Sequence, residues 1–357
     1  MFLKKGSCKI FQVFNTLAQS GTEKKGISKK TKAAVIVKGM GTELQNNEDA
    51  LKARAKKKTI TQKLVISLIS VCDQKGNPDR KQYYWNTYHC LNRIYLSEDR
   101  LHGNYCKNRV CALCSAIRKA EMINKYMPVV KLWKEPYFLT LTTKAVPAKQ
   151  LNHKVKRTLQ ALRKILGKLK KRYQRTKGIK VMGIRSLECN FNPISRTYNP
   201  HLHLIVPTKE IADLLLKEWL NLWTSKYTYK GAQDIRKVDN IERDMIETIK
   251  YSAKIFSDPT MSKKKEPKVT PYVYVSALDN ILFAMKSHRI FERFGFDLPK
   301  QEPKPNTSKT IRQYKELKFD IMLSDWIDEE SEMLLTGYTL PKELQAILDF
   351  NINMDMQ

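Results

Sequence analysis

Asn199-Pro200-His201-Leu202-His203-Leu204-Ile205-Val206 reads as a β-strand, increasingly apolar and β-branched until Pro207 closes it. Side chains alternate across a strand, so His201 and His203 share one face. Two imidazoles in that register form either a divalent-metal site or a pair of half-buried histidines on a sheet. The chain holds only six histidines, and placing two of them this way favours the metal. Upstream, Val181–Asn190 reads as a partner strand. The loop with Asn192, Pro193, Ser195 and Arg196 joins the two as a hairpin. A hairpin centred near Ile194–Ser195 sets Glu188 opposite His201 on the same face, where its carboxylate would be a third ligand. A slip of one residue would turn Glu188 away.

At 357 residues with 42% hydrophobic content, the chain is long enough for one large core or two domains. Its formal net charge of +31 points to a polyanionic partner, nucleic acid ahead of a membrane surface. No apolar run reaches the roughly 18 residues of a membrane span, and no secretory leader is expected. Seven unevenly spaced cysteines argue against a secreted disulfide framework and for reduced thiols in a cytoplasmic protein. No glycine loop of the kind that cradles nucleotide phosphates is present in the sequence.

Further outward, Phe138–Thr143 reads as a strand, followed after Pro147 by an amphipathic helix from about Ala148 to Lys177. Leu151, Val155, Leu159, Leu162, Ile165 and Leu169 keep helical spacing along it. Its opposite, basic face is either solvated or turned to DNA. Tyr83–Tyr95 is aromatic and reads as strand-like. Behind it lie Cys106, Cys111 and Cys114, with Cys90 sixteen residues before Cys106. Four thiolates with one Cys-x-x-Cys pair suit tetrahedral zinc, and His89 or His102 are alternatives to Cys90 as the fourth ligand. Unliganded core cysteines are the other reading. Residues 1–80 are expected as a flexible basic arm, and 81–130 as the cysteine region.

Downstream, Ile211–Tyr227 reads as a helix with a bulky apolar face, and Asp234–Val238 as a short strand. A helix from Asn240 to Phe256 is capped by Asn240 or Asp239. On it Glu247, Tyr251 and Lys254 stand within about 60° of one another. Taken alone, these three would be an ordinary surface face. Residues 131–300 form the expected main domain. From Asp320 onward the only basic residue is Lys342, so 301–357 is expected as an acidic, helical tail.

Cys106-Lys107-Asn108-Arg109-Val110-Cys111-Ala112-Leu113-Cys114, Phe138–Thr142, Ser186-Leu187-Glu188, Pro200-His201-Leu202-His203 and Glu247…Lys250-Tyr251…Lys254 occur in one order. Together they resemble the HUH-type rolling-circle replication initiators of small bacterial plasmids, in the branch with a cysteine cluster before the nuclease core. The resemblance spans roughly residues 88–295. Ala112 stands where that family usually has proline, and Phe291–Phe296 matches its glycine-rich stretch only loosely. The resemblance implies an α+β fold: a five-stranded antiparallel sheet, histidines on a central strand, the tyrosine helix beside them. It implies a DNA-nicking and strand-joining enzyme. Tyr251 attacks single-stranded origin DNA while magnesium or manganese on His201, His203 and Glu188 offsets charge on the scissile phosphate. Lys254 stabilises the phenolate or phosphate, and Glu247 activates the water that ends the round. Partners implied are plasmid origin DNA and a host helicase and polymerase. A relaxase or transposase of the same chemistry is the nearest rival reading. A zinc-containing repressor without catalysis, in which Tyr251 merely packs, belongs to another class, and an RNA-binding protein lacks its aromatic signature.

Overall fold

The computed structural model describes residues 35–38, 42–43, 48–97, 100–249, 271–299 and 308–353. In chain order the described elements begin with strands β1 (Val35–Lys38) and β2 (Thr42–Glu43), then helices α1 (Glu48–Gln74) and α2 (Pro78–Tyr88). Strands β3 (Arg93–Ser97) and β4 (Arg100–Gly103) precede α3 (Ala112–Val130), β5 (Tyr137–Leu141), β6 (Val146–Pro147) and α4 (Ala148–Gln174). The long hairpin β7 (Gly183–Asn192) and β8 (Thr197–Val206) is followed by α5 (Lys209–Tyr227), β9 (Asp234–Lys237) and α6 (Ile241–Thr248). After it come α7 (Pro271–Met285), β10 (Phe291–Phe294), β11 (Ser308–Ile311), β12 (Lys315–Asp320), β13 (Asp325–Ile327) and α8 (Lys342–Asn353). The fold is α+β, with antiparallel sheets.

The elements fall into two units. One takes its described residues from Met1–Ile66, Gln82–Lys107 and Pro303–Ile352, the other from Ser67–Lys81, Asn108–Glu302 and Asn353–Gln357.

In the second unit five strands lie in the order β10-β7-β8-β5-β9, with β6 pairing the start of β8. Every pairing is antiparallel, and β8 is the middle strand of the five. Period-2 alternation gives the sheet two different faces. Leu202, Leu204 and Val206 of β8, Leu139 and Leu141 of β5 and Leu187 of β7 join one core with α4, α5 and α7. All six apolar residues that set the period of α4 are buried there, which is why this polar helix is stable: its apolar stripe is covered. Trp219 and Trp223 of α5 fill the same core. The opposite face carries Ile205, Phe138, Ile184 and Phe291, packed with Val130 of α3, Met245 of α6 and Ile249 just beyond it. Gly295 ends β10 at φ +74°, and a Cβ there would meet the Val181 carbonyl oxygen at 2.0 Å, so only glycine fits this return.

The first unit corrects three expectations. The segment Tyr83–Tyr95, read as strand-like, is the end of α2 followed by β3; Tyr84 and Thr87, one helical turn apart, are its buried contacts. Aromatic content suggested a strand, and tertiary burial overrides that preference. Residues 48–74, expected inside a flexible basic arm, form the 27-residue helix α1. Its apolar period is hidden because Lys58, Thr59, Thr61 and Gln62 are buried among the apolar positions. The Lys58 ammonium is stabilised by donating to the Tyr88 carbonyl at 2.7 Å and to Asn92 Oδ1, which offsets the large cost of burying a charge. The stretch expected as a helical tail contributes strands β11, β12 and β13 and, among its described residues, a helix only at Lys342–Asn353. Strands run β13-β12-β3-β4-β2 in one sheet, while β1 pairs β11 in another. Several acidic residues of this stretch are turn and loop acceptors. Asp325 accepts from the Trp326, Thr336 and Gly337 amides, and Asp320 from those of Met322 and Leu323.

Candidate metal centre on the central hairpin

The β7–β8 register pairs Asn192 with Thr197 and Glu188 with His201, so the hairpin is centred between Ile194 and Ser195 as expected. Asn192 Oδ1 accepts from the Ile194 and Ser195 amides and Arg196 sits at φ 50°, which together close the turn. Because of this register, Glu188, His201 and His203 converge on the sheet face that α3 and α6 cover. His201 Nε2 and His203 Nε2 are 3.1 Å apart, and Glu188 Oε2 lies 3.8 Å from the first and 3.4 Å from the second. The three donor atoms lie within 4.8 Å of one another.

The outer ring nitrogens decide what this convergence can do. His201 Nδ1 is 3.0 Å from the Asn199 carbonyl oxygen, which can only accept, so Nδ1 carries the proton and Nε2 presents its lone pair. His203 Nδ1 meets Thr140 Oγ1 at 3.1 Å, a contact that orients the ring with either atom as donor. The second carboxylate oxygen, Glu188 Oε1, is buried with no hydrogen-bond donor among the described residues. The Ser186 hydroxyl, paired across from His203, is likewise buried without such a partner. The His201 lone pair, the second imidazole nitrogen and the carboxylate are close enough that a proton or a cation among them offsets their repulsion. The group therefore fits a divalent cation. Cys189 follows Glu188 in sequence but takes the opposite strand face. Burial pushes its thiol up to about 12, against a hydrogen bond from the Asn199 backbone, so it stays protonated and offers the cation no thiolate.

Helix α6 packs over the same face. Asn240 Oδ1 accepts from the Arg243 amide and caps it, as the sequence suggested. Buried Asp244 pairs with Arg236 of β9 at 3.0 and 2.5 Å, and Arg236 lies over the Phe138 ring. This bidentate pair fixes the helix against the sheet edge, while Met245 and Ile249 reach the core beneath. Glu247 lies in the last turn of α6. Tyr251 and Lys254 fall outside the described residues.

Cys90, Cys106, Cys111 and Cys114 form a group with every sulfur within 4.8 Å of the others, a set that could hold a metal ion. Cys90, rather than His89 or His102, is the fourth member. The Cys106 amide lies 3.4 Å from Cys90 Sγ. Lys107, at φ 58°, turns the chain between Cys106 and Cys111. Arg109 donates to the carbonyls of Met285 and His288 and anchors this loop to the end of α7.

Sequence reading missed the residues that hold the histidines: Thr140, Asn199 and, behind them, Thr142 and Gln233. Their only signal is polarity on strands or in loops brought together by pairing between strands far apart in sequence.

An antiparallel sheet presenting two histidines and a glutamate from its central hairpin defines an α+β protein with a candidate metal centre on the sheet. The chain belongs to the family described as Replication protein, whose model matches residues 99–295. A Protein rep of Staphylococcus aureus is 34% identical over 188 residues, covering 48% of this chain and 78% of the relative. One of Streptococcus pneumoniae is 29% identical over 175 residues (43% of this chain, 53% of the relative). One of a Bacillus species is 27% identical over 159 residues (41% and 50%), so the chain spans about half the length of these last two. No solved structure matches the chain.

Proposed function

We propose that the protein initiates rolling-circle replication of a bacterial plasmid by nicking single-stranded origin DNA. The observation that carries this reading is the convergence of Glu188, His201 and His203: a carboxylate and two imidazoles whose outer nitrogens are held by Thr140 and Asn199. These three residues hold magnesium or manganese. When bound, the ion supplies positive charge beside a non-bridging oxygen of the scissile phosphate. Tyr251 is the nucleophile. A phenol with an ordinary pKa of about 10 is a weak one at neutral pH, so it needs that help. Its oxygen bonds to phosphorus as the bond to the 3′-oxygen breaks; the phenolic proton passes to solvent and the departing 3′-oxygen takes up a proton from solvent. The products are a 5′-phosphotyrosyl link and a free 3′-hydroxyl, which primes a host polymerase behind a host helicase. Lys254 stabilises the phenolate or the phosphate. Glu247 activates water to cut the DNA after one round: the water breaks a phosphorus–O3′ bond, leaving a 5′-phosphate and a 3′-hydroxyl, and that hydroxyl attacks the tyrosyl phosphate, rejoining the strand as Tyr251 leaves with its proton. The four cysteines hold structural zinc, whose bonds of about 2.3 Å to sulfur suit thiolates this close together. The net charge of +31 favours a long polyanion.

The test is incubation of the full chain with single-stranded origin DNA and manganese, followed by denaturing electrophoresis. A protein–DNA adduct that survives denaturation is expected from the wild type and is absent from Tyr251→Phe. No adduct from the wild type, or an equal one from the variant, overturns the assignment.

A further inference from the structure

The loop after α5 is built in a way the metal centre alone does not require. Thr224 holds φ 61° and ψ 166°, a conformation that a β-branched residue adopts only under strain, and it kinks the end of α5. Beyond the kink the side chains alternate sharply in burial. Tyr227 and Tyr229 are exposed, Tyr229 to 67%, while Thr228 between them is buried. Lys226 lies 5.7 Å over the Tyr227 ring. Lys230 is exposed next to Tyr229 in the chain, and Lys144, whose amide donates to the Tyr227 carbonyl, is exposed as well.

Tyr227 is partly covered by Trp223 and Lys226, whereas Tyr229 is largely open, and the backbone that carries both is clamped. The Thr142 carbonyl accepts from Trp219 Nε1 at 3.1 Å, Thr228 Oγ1 at 2.9 Å and Gln233 Nε2 at 3.3 Å. Gln233 also accepts from the Thr142 amide and donates to the Tyr229 carbonyl. Thr142 Oγ1 in turn donates to Asn199 Oδ1, and the Asn199 carbonyl accepts from His201 Nδ1. One continuous set of hydrogen bonds thus runs from the backbone under Tyr229 to a histidine of the metal group.

We propose that Tyr227 and Tyr229, with Lys144, Lys226 and Lys230, form a platform on which bases of single-stranded DNA stack while the lysines neutralise the phosphates. The chemistry matches that partner: exposed rings offer π-faces to any base, and cations at the same place favour a polyanion over an apolar peptide. The clamp makes the stacked strand register with the metal group, so the platform sets which phosphate arrives there. It rests on the nicking reading for its purpose, but not for its detection.

Binding separates the two. The full-length Tyr251→Phe protein, which cannot form the adduct, is titrated into fluorescein-labelled oligothymidylate at low salt and followed by anisotropy. Tyr229→Ala in that background is expected to weaken binding roughly tenfold, within the range that stacking one base supplies. Tyr229→Trp should restore it, because the ring and not the hydroxyl is used. Tyr229 is mostly exposed, so unchanged thermal melting of both variants is expected. Unweakened binding by Tyr229→Ala, equal loss in Tyr229→Trp, or no binding by the parent protein overturns the platform. An absent covalent adduct in the wild type, with these binding differences intact, would overturn the nicking reading and leave the platform standing.

Discussion

A slip of one residue in the β7–β8 register would carry Glu188 to the face filled by Leu187 and Leu202 and strip the carboxylate from the two imidazoles. What prevents the slip is the alternation itself: Leu187, Leu202, Leu204 and Val206 must all stay in the apolar core. The same residues that stabilise the sheet therefore set the site. The role proposed for Glu247 is the most separable chemically. If it activates the water of the second step, Glu247→Ala should still nick, yet the covalent adduct should decay at least tenfold more slowly, as loss of general-base catalysis implies. Time courses of adduct decay on denaturing gels read this directly, and decay at the wild-type rate would remove the role. Glu188, His201 and His203 were legible in the sequence because strand parity and hairpin arithmetic are local. Thr140 and Asn199, which orient the rings, were not, since Thr140 meets His203 only through pairing of β5 with β8.

Among the elements, α4 shows sequence reading at its best: a long helix with one apolar face buried and its cations outside, apart from buried Lys154, which lies over the Trp223 ring. Lys168 and Arg172 on that helix are held by buried Glu218 of α5, so part of its basic face has a structural use in addition to any contact with DNA. Helix α1 shows the reverse. Its lysine run looked like solvated chain, yet Lys58 is buried, and a pattern of period 3.6 cannot be seen when polar groups satisfied from other elements occupy core positions. The strands near the C-terminus were hidden for a related reason: their acidic residues, tied into turns, resemble a solvated helix in composition. At the cysteine loop a metal should be retained through four thiolates. Cys111→Ser is expected to lower the zinc content of purified protein measurably, to about half or less, by atomic emission. Unchanged zinc content would mean that the loop holds none.

At the scale of the whole molecule, the chain combines an antiparallel sheet carrying a His-His-Glu group, a cysteine group and a strongly basic composition in a member of the Replication protein family. No helix among the described residues is long and apolar enough to cross a membrane. Under the proposed nicking reaction these features serve one task only if the hairpin holds a divalent ion, because without it the proposed nucleophile Tyr251, the proposed stacking platform and the basic charge have no common point of action. Manganese titration of the full-length protein, followed by the electron paramagnetic resonance signal of the free ion, tests this most directly. The wild type should remove one manganese ion per chain from solution, and His203→Ala should lose that binding while Tyr251→Phe keeps it. Equal manganese uptake by His203→Ala and the wild type would contradict the assignment of the central hairpin as the metal centre.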